Sequence, residues 1–145
     1  MDKELFEKFI NTITLSTIQP TKIDVECLGE IPVGEEAPLQ ISWKMMYPKE
    51  TPFKIVENLL QLSPLFEISL SYNNQIIYLH KSIFQVLITI NDKVKFEELW
   101  NKEEVQSYFK DKQVLKTLWP IVRQQVLDGL SRLSLPPISL PWMVV

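Results

Sequence analysis

Catalysis by side chains needs a nucleophile beside a base, or a set of metal ligands, and this sequence is poor in both. His80 is the single histidine and Cys27 the single cysteine among 145 residues. Both fall in stretches that alternate apolar and polar residues, as strands do. An activated thiol instead needs a charged or strained setting that holds the thiolate. Free cysteine is among the most buried residue types, so Cys27 reads as a small hydrophobe and His80 as a sheet residue. Three pairs of acids are adjacent: Glu35-Glu36, Glu97-Glu98 and Glu103-Glu104. Neighbours in sequence do not share a helix face, so these suit solvated or capping roles better than an acid–base pair. No histidine, cysteine and carboxylate set has metal-ligand spacing. Three glycines in all leave no phosphate-cradling loop. The expectation is no catalytic residue, no metal, no cofactor and no enzyme.

The chemistry that remains is apolar contact. Trp43, Met45 and Tyr47 share one side of an alternating stretch, and Trp142-Met143 follow three prolines near the terminus. Methionine re-packs easily and is common where a surface accepts many sequences. Trp43, Met45, Tyr47, Trp142 and Met143 are therefore the candidate polypeptide-binding residues. Core packing is the competing reading, and it claims Trp119 and Trp43 first.

The elements that must position these residues follow from periodicity. Leu5, Phe6, Phe9, Ile10 and Ile13 recur at helical spacing among charged residues, an amphipathic extension within residues 1–18 that Pro20 closes. Residues 21–90 read as a sheet. Ile23, Val25 and Cys27 alternate with charges, and after a loop marked by Gly29, Pro32, Gly34 and Pro38 a second strand runs from Leu39 to Tyr47. Residues 53–62 are ambiguous: Phe53, Val56, Leu59 and Leu60 fit a helical face, yet the stretch is short. A third strand, Phe66 to Tyr72, meets a fourth, Gln75 to Ile90, across Asn73-Asn74, a turn that tolerates positive φ. The polar break His80-Lys81-Ser82 predicts a bulge in the fourth strand.

Residues 95–134 read as helices, with Asn101 and Glu104 as a capping pair and Asp111 as a possible cap for the next helix. Leu115, Leu118, Trp119, Val122, Val126, Leu130 and Leu133 form one long stripe. Pro120 interrupts it, predicting a kink or a restart. The stripe is long for one sheet face, and Gly129 permits close backbone approach. Leu115, Trp119, Val122, Val126 and Gly129 are thus candidates for an oligomer interface, against simple packing on the sheet. Prolines at 136, 137 and 141 make residues 135–145 an extended tail. Together these elements predict a single α+β domain: a four-stranded antiparallel sheet with helices on one face.

Composition excludes several classes. Hydrophobic residues make up 46% and charged residues 23%, which places the chain among globular proteins. A net charge of −3, with scattered basic residues, argues against nucleic acid. The start has neither the basic end nor the apolar run of a signal peptide, and no stretch is long enough to insert in a membrane. A cytoplasmic location is the default expectation.

The run from Lys116 to Arg123, with Leu118, Trp119, Pro120 and Arg123 at its key positions, is similar to the helix motif of the SecB-type export chaperones. Ser131-Arg132 resembles the end of that helix. Leu135, Pro137, Ile138 and Leu140 resemble the extended segment beyond it, and Ile77 to Ile90 resembles the family's fourth strand. The resemblance implies a homo-oligomeric holdase, dimer or tetramer, that grips unfolded polypeptides in apolar grooves and passes them to a translocation ATPase. The chain stops at Val145, where the family's second helix begins, which weighs against docking on that ATPase. Some relatives serve one dedicated protein client, such as an antitoxin. An adaptor or interaction module of the same fold is therefore the alternative.

Overall fold

The computed structural model describes residues 1–30 and 39–133. The chain runs α1 (Lys3–Ile10), β1 (Ile13–Cys27), β2 (Gln40–Met46), β3 (Phe53–Val56), β4 (Leu59–Leu62), β5 (Leu65–Tyr72) and β6 (Gln75–Ile90). It continues through α2 (Lys93–Trp100), α3 (Glu103–Tyr108), a π-helical turn (Phe109–Gln113) and α4 (Val114–Arg132). The α+β expectation holds, but the antiparallel sheet has six strands rather than four.

β6 organises the sheet. It is 16 residues long and pairs along one side with β1. Along the other side it pairs first with β5, at Gln75 to Ile83, and then with β4, at Val86 to Thr89. β2 lies outside β5, and β3 lies outside β4. Asn73 and Asn74 turn β5 into β6 with φ of 50° and 62°, the left-handed conformation that asparagine tolerates. The even-numbered residues of β6 from Tyr78 to Ile90 are buried, and the odd-numbered ones on the other face are half-exposed or exposed. α4 covers the buried side with Leu118, Val122, Val126 and Leu130, each 0% exposed.

Two local expectations are corrected and one open segment is decided. Residues 53–62 form the β3–β4 hairpin, because Leu60 and Leu62 alternate into the core while Leu59 and Gln61 do not. The N-terminal helix ends at Ile10, and the chain from Ile13 is strand through Pro20, which an edge strand tolerates. β6 carries no bulge at His80–Ser82, where pairing to Asp24 and Glu67 continues through Lys81. The register shifts lie in β1, between Leu15 and Thr17 and between Pro20 and Lys22, and in the β5–β6 pairing near Leu70.

The helical end also differs in detail. The expected Asn101–Glu104 capping pair is not formed, because α3 starts at Glu103 with Lys102 in the cap position and no side-chain cap; Asp92 caps α2, its carboxylate accepting from Lys95 N–H at 3.2 Å. Asn101 closes that helix, and Asp111 sits inside the π-helical turn. Pro120 lies within one continuous α4, so the helix does not restart there.

The core has an aromatic end. Phe9 (0% exposed) lies 5.7 Å from Phe96, 5.6 Å from Trp100 and 5.5 Å from Phe109, measured between ring centres. Ring contacts of this kind contribute beyond their buried area. They hold α1, α2 and the π-helical turn together.

Candidate functional site

The residues that chemistry would need do not converge. Cys27 is exposed at the end of β1, where its thiol donates to the Gly29 carbonyl at 3.2 Å. His80 is fully buried on β6, between Val25 of β1 and Ile68 of β5. Among the described residues no three histidine, cysteine or carboxylate side chains cluster as metal ligands. Of the adjacent acids, Glu103-Glu104 start α3, Glu97-Glu98 lie beyond the first turn of α2, and Glu35-Glu36 lie outside the described residues.

The apolar candidates are placed more informatively. Among the described strands β2 is an edge strand, and its residues Ile41, Trp43 and Met45 stand opposite Leu70, Ile68 and Phe66, the buried row of β5. These three side chains therefore lie on the helix-covered face at its margin. Trp43 is 37% exposed, and its ring centre is 5.6 Å from that of Trp119, itself 2% exposed. Half of this aromatic pair is thus anchored under α4 and half is open to solvent. Met45 is half-buried beside it.

Tyr47 is committed elsewhere. Its hydroxyl donates to the Lys110 carbonyl at 2.7 Å, in the π-helical turn, and the Lys110 ammonium lies 5.9 Å from its ring centre. Burial, reinforced by Asp111, pushes the phenol well above its ordinary range. A π-helical turn frees backbone carbonyls from the regular ladder, and Tyr47 satisfies one of them. Trp142 and Met143 lie outside the described residues.

The residues expected at an oligomer interface are used inside the chain. Leu115, Trp119, Val122 and Val126 are at most 5% exposed, and Gly129 is buried against Tyr78 and Val25. The stripe of α4 is consumed by the sheet, which spans six strands and so has more face to cover than four would.

The surface that periodicity missed runs along β1. This 15-residue strand pairs only with β6 among the described strands, and Leu15 and Ile23 on its helix-facing side are 49% and 52% exposed. Ile10, Ile13 and Leu15 border an apolar recess of about 190 Å³ closed by Val86, Ile88 and Phe109. At the far end Ile23 and Val25 line a second cleft with Gln125, Gly129 and Leu133. The available signal was the β-branched run Ile13-Thr-Leu-Ser-Thr-Ile18, strand-like in composition. Its lack of strict alternation concealed it.

No protein-family model matches the chain, and no curated protein matches it in sequence. A solved structure does: the Mycobacterium tuberculosis Rv1957 SecB-like chaperone in complex with a ChAD peptide from the Rv1956 HigA1 antitoxin. The superposition has a TM-score of 0.72 at 11% identity and covers 97% of this chain and 98% of that one. At that identity the likeness is one of fold. No described helix is long and apolar enough to cross a membrane.

Proposed function

We propose that this chain is a SecB-like chaperone that holds unfolded polypeptides against the margin of its helix-covered sheet face. The supporting observation is the Trp43–Trp119 pair: an aromatic ring left 37% exposed on an edge strand, in a fold matched end to end by a chaperone solved with a peptide. An extended client suits this place. An edge strand offers unpaired backbone groups, and Ile41, Trp43 and Met45 offer apolar contact on alternate positions. Met45 brings the adaptable thioether that varied sequences require.

The test is suppression of aggregation by the purified chain for several unrelated denatured proteins. Protection of all of them, reduced about tenfold in apparent affinity by Trp43→Ser, fits the loss of one anchoring aromatic. A second reading, an adaptor for one dedicated protein client, draws on the antitoxin peptide bound by the Rv1957 chaperone. Under that reading unrelated denatured proteins gain no protection. No export step or cofactor is proposed, and the cytoplasm is the proposed location.

The same reading includes a homo-oligomer, with the interface moved from the α4 stripe to the β1 edge. Antiparallel pairing of two β1 edges about Gln19 sets Leu15 of one copy opposite Ile23 of the other, both on the helix-facing side. That would cover two exposed apolar side chains and an unpaired edge at once. A monomer by sedimentation at tens of micromolar, a range taken only as about typical of micromolar association, would remove this element.

A further inference from the structure

Beneath the C-terminal half of α4 the sheet is polar where a core is expected to be apolar. His80 and Ser82 are both 0% exposed, on the same face of β6, and Gln125 of α4 lies against His80. Neither nitrogen of His80, nor Ser82 Oγ, nor Gln125 Oε1 completes a hydrogen bond of full geometry with a protein partner, although the Gln125 side chain lies near enough to His80 to act on its proton. Buried polar groups in this condition cost free energy and call for an explanation.

The helix approaches very closely here. A Cβ at Gly129 would lie 2.5 Å from the Tyr78 hydroxyl and 3.4 Å from both Val25 methyls, and the Tyr78 hydroxyl reaches the Val126 carbonyl only at 3.5 Å. The interface is therefore close here, and the glycine contact and the neutral polar side chains sit among the buried apolar groups Val122, Val126 and Leu130.

Among the described residues a proton placed on His80 would find no counter-charge. On β1 the ring faces Val25; on β5 it faces Ile68. Asp24, Glu26, Glu67 and Lys81 alternate onto the other face. On its own strand Tyr78 and Ser82 share its face. On α4 the polar neighbour is Gln125; Asp128 and Arg132 line the cleft that opens toward Val25, and Arg123 lies two residues before Gln125, half-buried on the same helix. Burial lowers the affinity of the ring for a proton; Gln125 opposes that, and no charged group adds to either effect.

We infer that the His80–Ser82–Gln125 layer is an acid-sensitive latch: when His80 takes up a proton, the C-terminal half of α4 detaches from β1 and β6 and uncovers the apolar floor beneath it. The floor is Phe66, Ile68 and Leu70 on the sheet and Val122, Val126 and Leu130 on the helix, all 0% exposed while the latch is closed. The sign follows from linkage. A histidine that resists protonation when closed, and titrates near its ordinary 6.5 when open, favours the open form increasingly as pH falls below 6.5. Acid thus supplies apolar surface. The inference stands on the interior of this chain and is independent of whether Trp43 binds clients.

The experiment is hydrogen exchange on the full chain, comparing amides of residues 122–132 with those of Phe84 to Ile90 after correction for intrinsic rates. Going from about pH 7 to about pH 5, selective opening of the helix half should rise by up to about 25-fold, the limit set by an open-state value near 6.5. His80→Leu, which keeps volume and removes the proton site, should flatten the rise. Should that variant not fold, the wild-type imidazole can be followed by NMR without ambiguity, because it is the only histidine. Its protonation should then track the exchange opening of α4. A ring that titrates near 6.5 while α4 stays protected overturns the latch. So does an equal rise in His80→Leu, or no rise in the wild type.

Discussion

The two ends of the helix–sheet interface are closed in different ways. At one end Phe9 and Trp100 each bring their ring centres within 5.5 to 6.0 Å of Phe96, of Phe109 and of each other, and Phe53 meets Trp100 edge-on at 5.1 Å. At the other, α4 meets the sheet through Gly129, Gln125, His80 and the tip of Tyr78. The first end buries large apolar area and locks α1, α2 and the π-helical turn. The second sets a close backbone approach and a buried polar layer among the apolar contacts of Val126 and Leu130. Stability and responsiveness are thus separated along one layer, and a chain that must both hold its shape and offer apolar surface benefits from that separation.

The comparison breaks most readily at its stronger end. Phe9→Ala, which removes a fully buried ring from four aromatic neighbours, should cost about 3–5 kcal/mol in urea unfolding. A loss below about 1 kcal/mol would mean the aromatic end is not the anchor.

Next is the close approach at the other end. Gly129→Ala should cost about 1–3 kcal/mol, because the new methyl meets the Tyr78 hydroxyl at 2.5 Å. The double variant with Tyr78→Phe should recover most of that loss, since it removes the obstructing atom. That hydroxyl gives up little in return, as its own hydrogen bond is long at 3.5 Å. Absence of recovery would show that the helix is held off by backbone rather than by the phenol.

Tyr47→Phe should cost about 1 kcal/mol, through the hydrogen bond to Lys110 in the π-helical turn. It should also soften alkaline unfolding. Burial raises both phenols, Tyr47 strongly and Tyr78 to about 12, so the folded chain keeps protons that the unfolded chain loses above its ordinary value of 10. The stability linked to these groups is present below 10 and is lost as pH rises through and beyond it. Melts at alkaline pH, with and without Tyr47→Phe, measure the share of the aromatic end.

The smallest effect lies away from both ends. Lys44→Ala breaks a 3.7 Å ion pair with Glu67 whose lysine side chain is 57% exposed, and should change stability by less than about 0.5 kcal/mol. A larger change would show that the far face of the sheet carries energy that the comparison assigns to its ends.

Much of the architecture was legible because periodicity is a local property. Phe66, Ile68 and Leu70 alternate strictly and form β5; Asn73-Asn74 is the turn; Val122 to Leu130 is the buried stripe of α4. Three things were not legible. Residues 53–62 carry an apolar pattern too short to separate helix from strand, and their pairing with β6 decided it. The start of β1 lacks alternation, because an edge strand with two register shifts is not buried on one side throughout. The candidate site was half-visible. Trp43 and Met45 stand where alternation placed them, at the margin of the helix-covered face, while Tyr47 is taken by a carbonyl 63 positions away in sequence.

The sequence by itself determined the α+β class, the antiparallel hairpin of β5 and β6 and the apolar identity of α4, because side-chain period and turn chemistry act over a few residues. The tertiary structure alone decided which apolar residues remain open. Trp43 and Trp119 are the same residue type in similarly apolar surroundings, yet one is 37% exposed and the other 2%. The same holds for His80, whose polarity suggested a bulge and whose place is a buried layer with no counter-charge among the described residues. Exposure and pairing depend on which distant segments arrive on each side of a residue, and spacing along the chain does not encode that arrival.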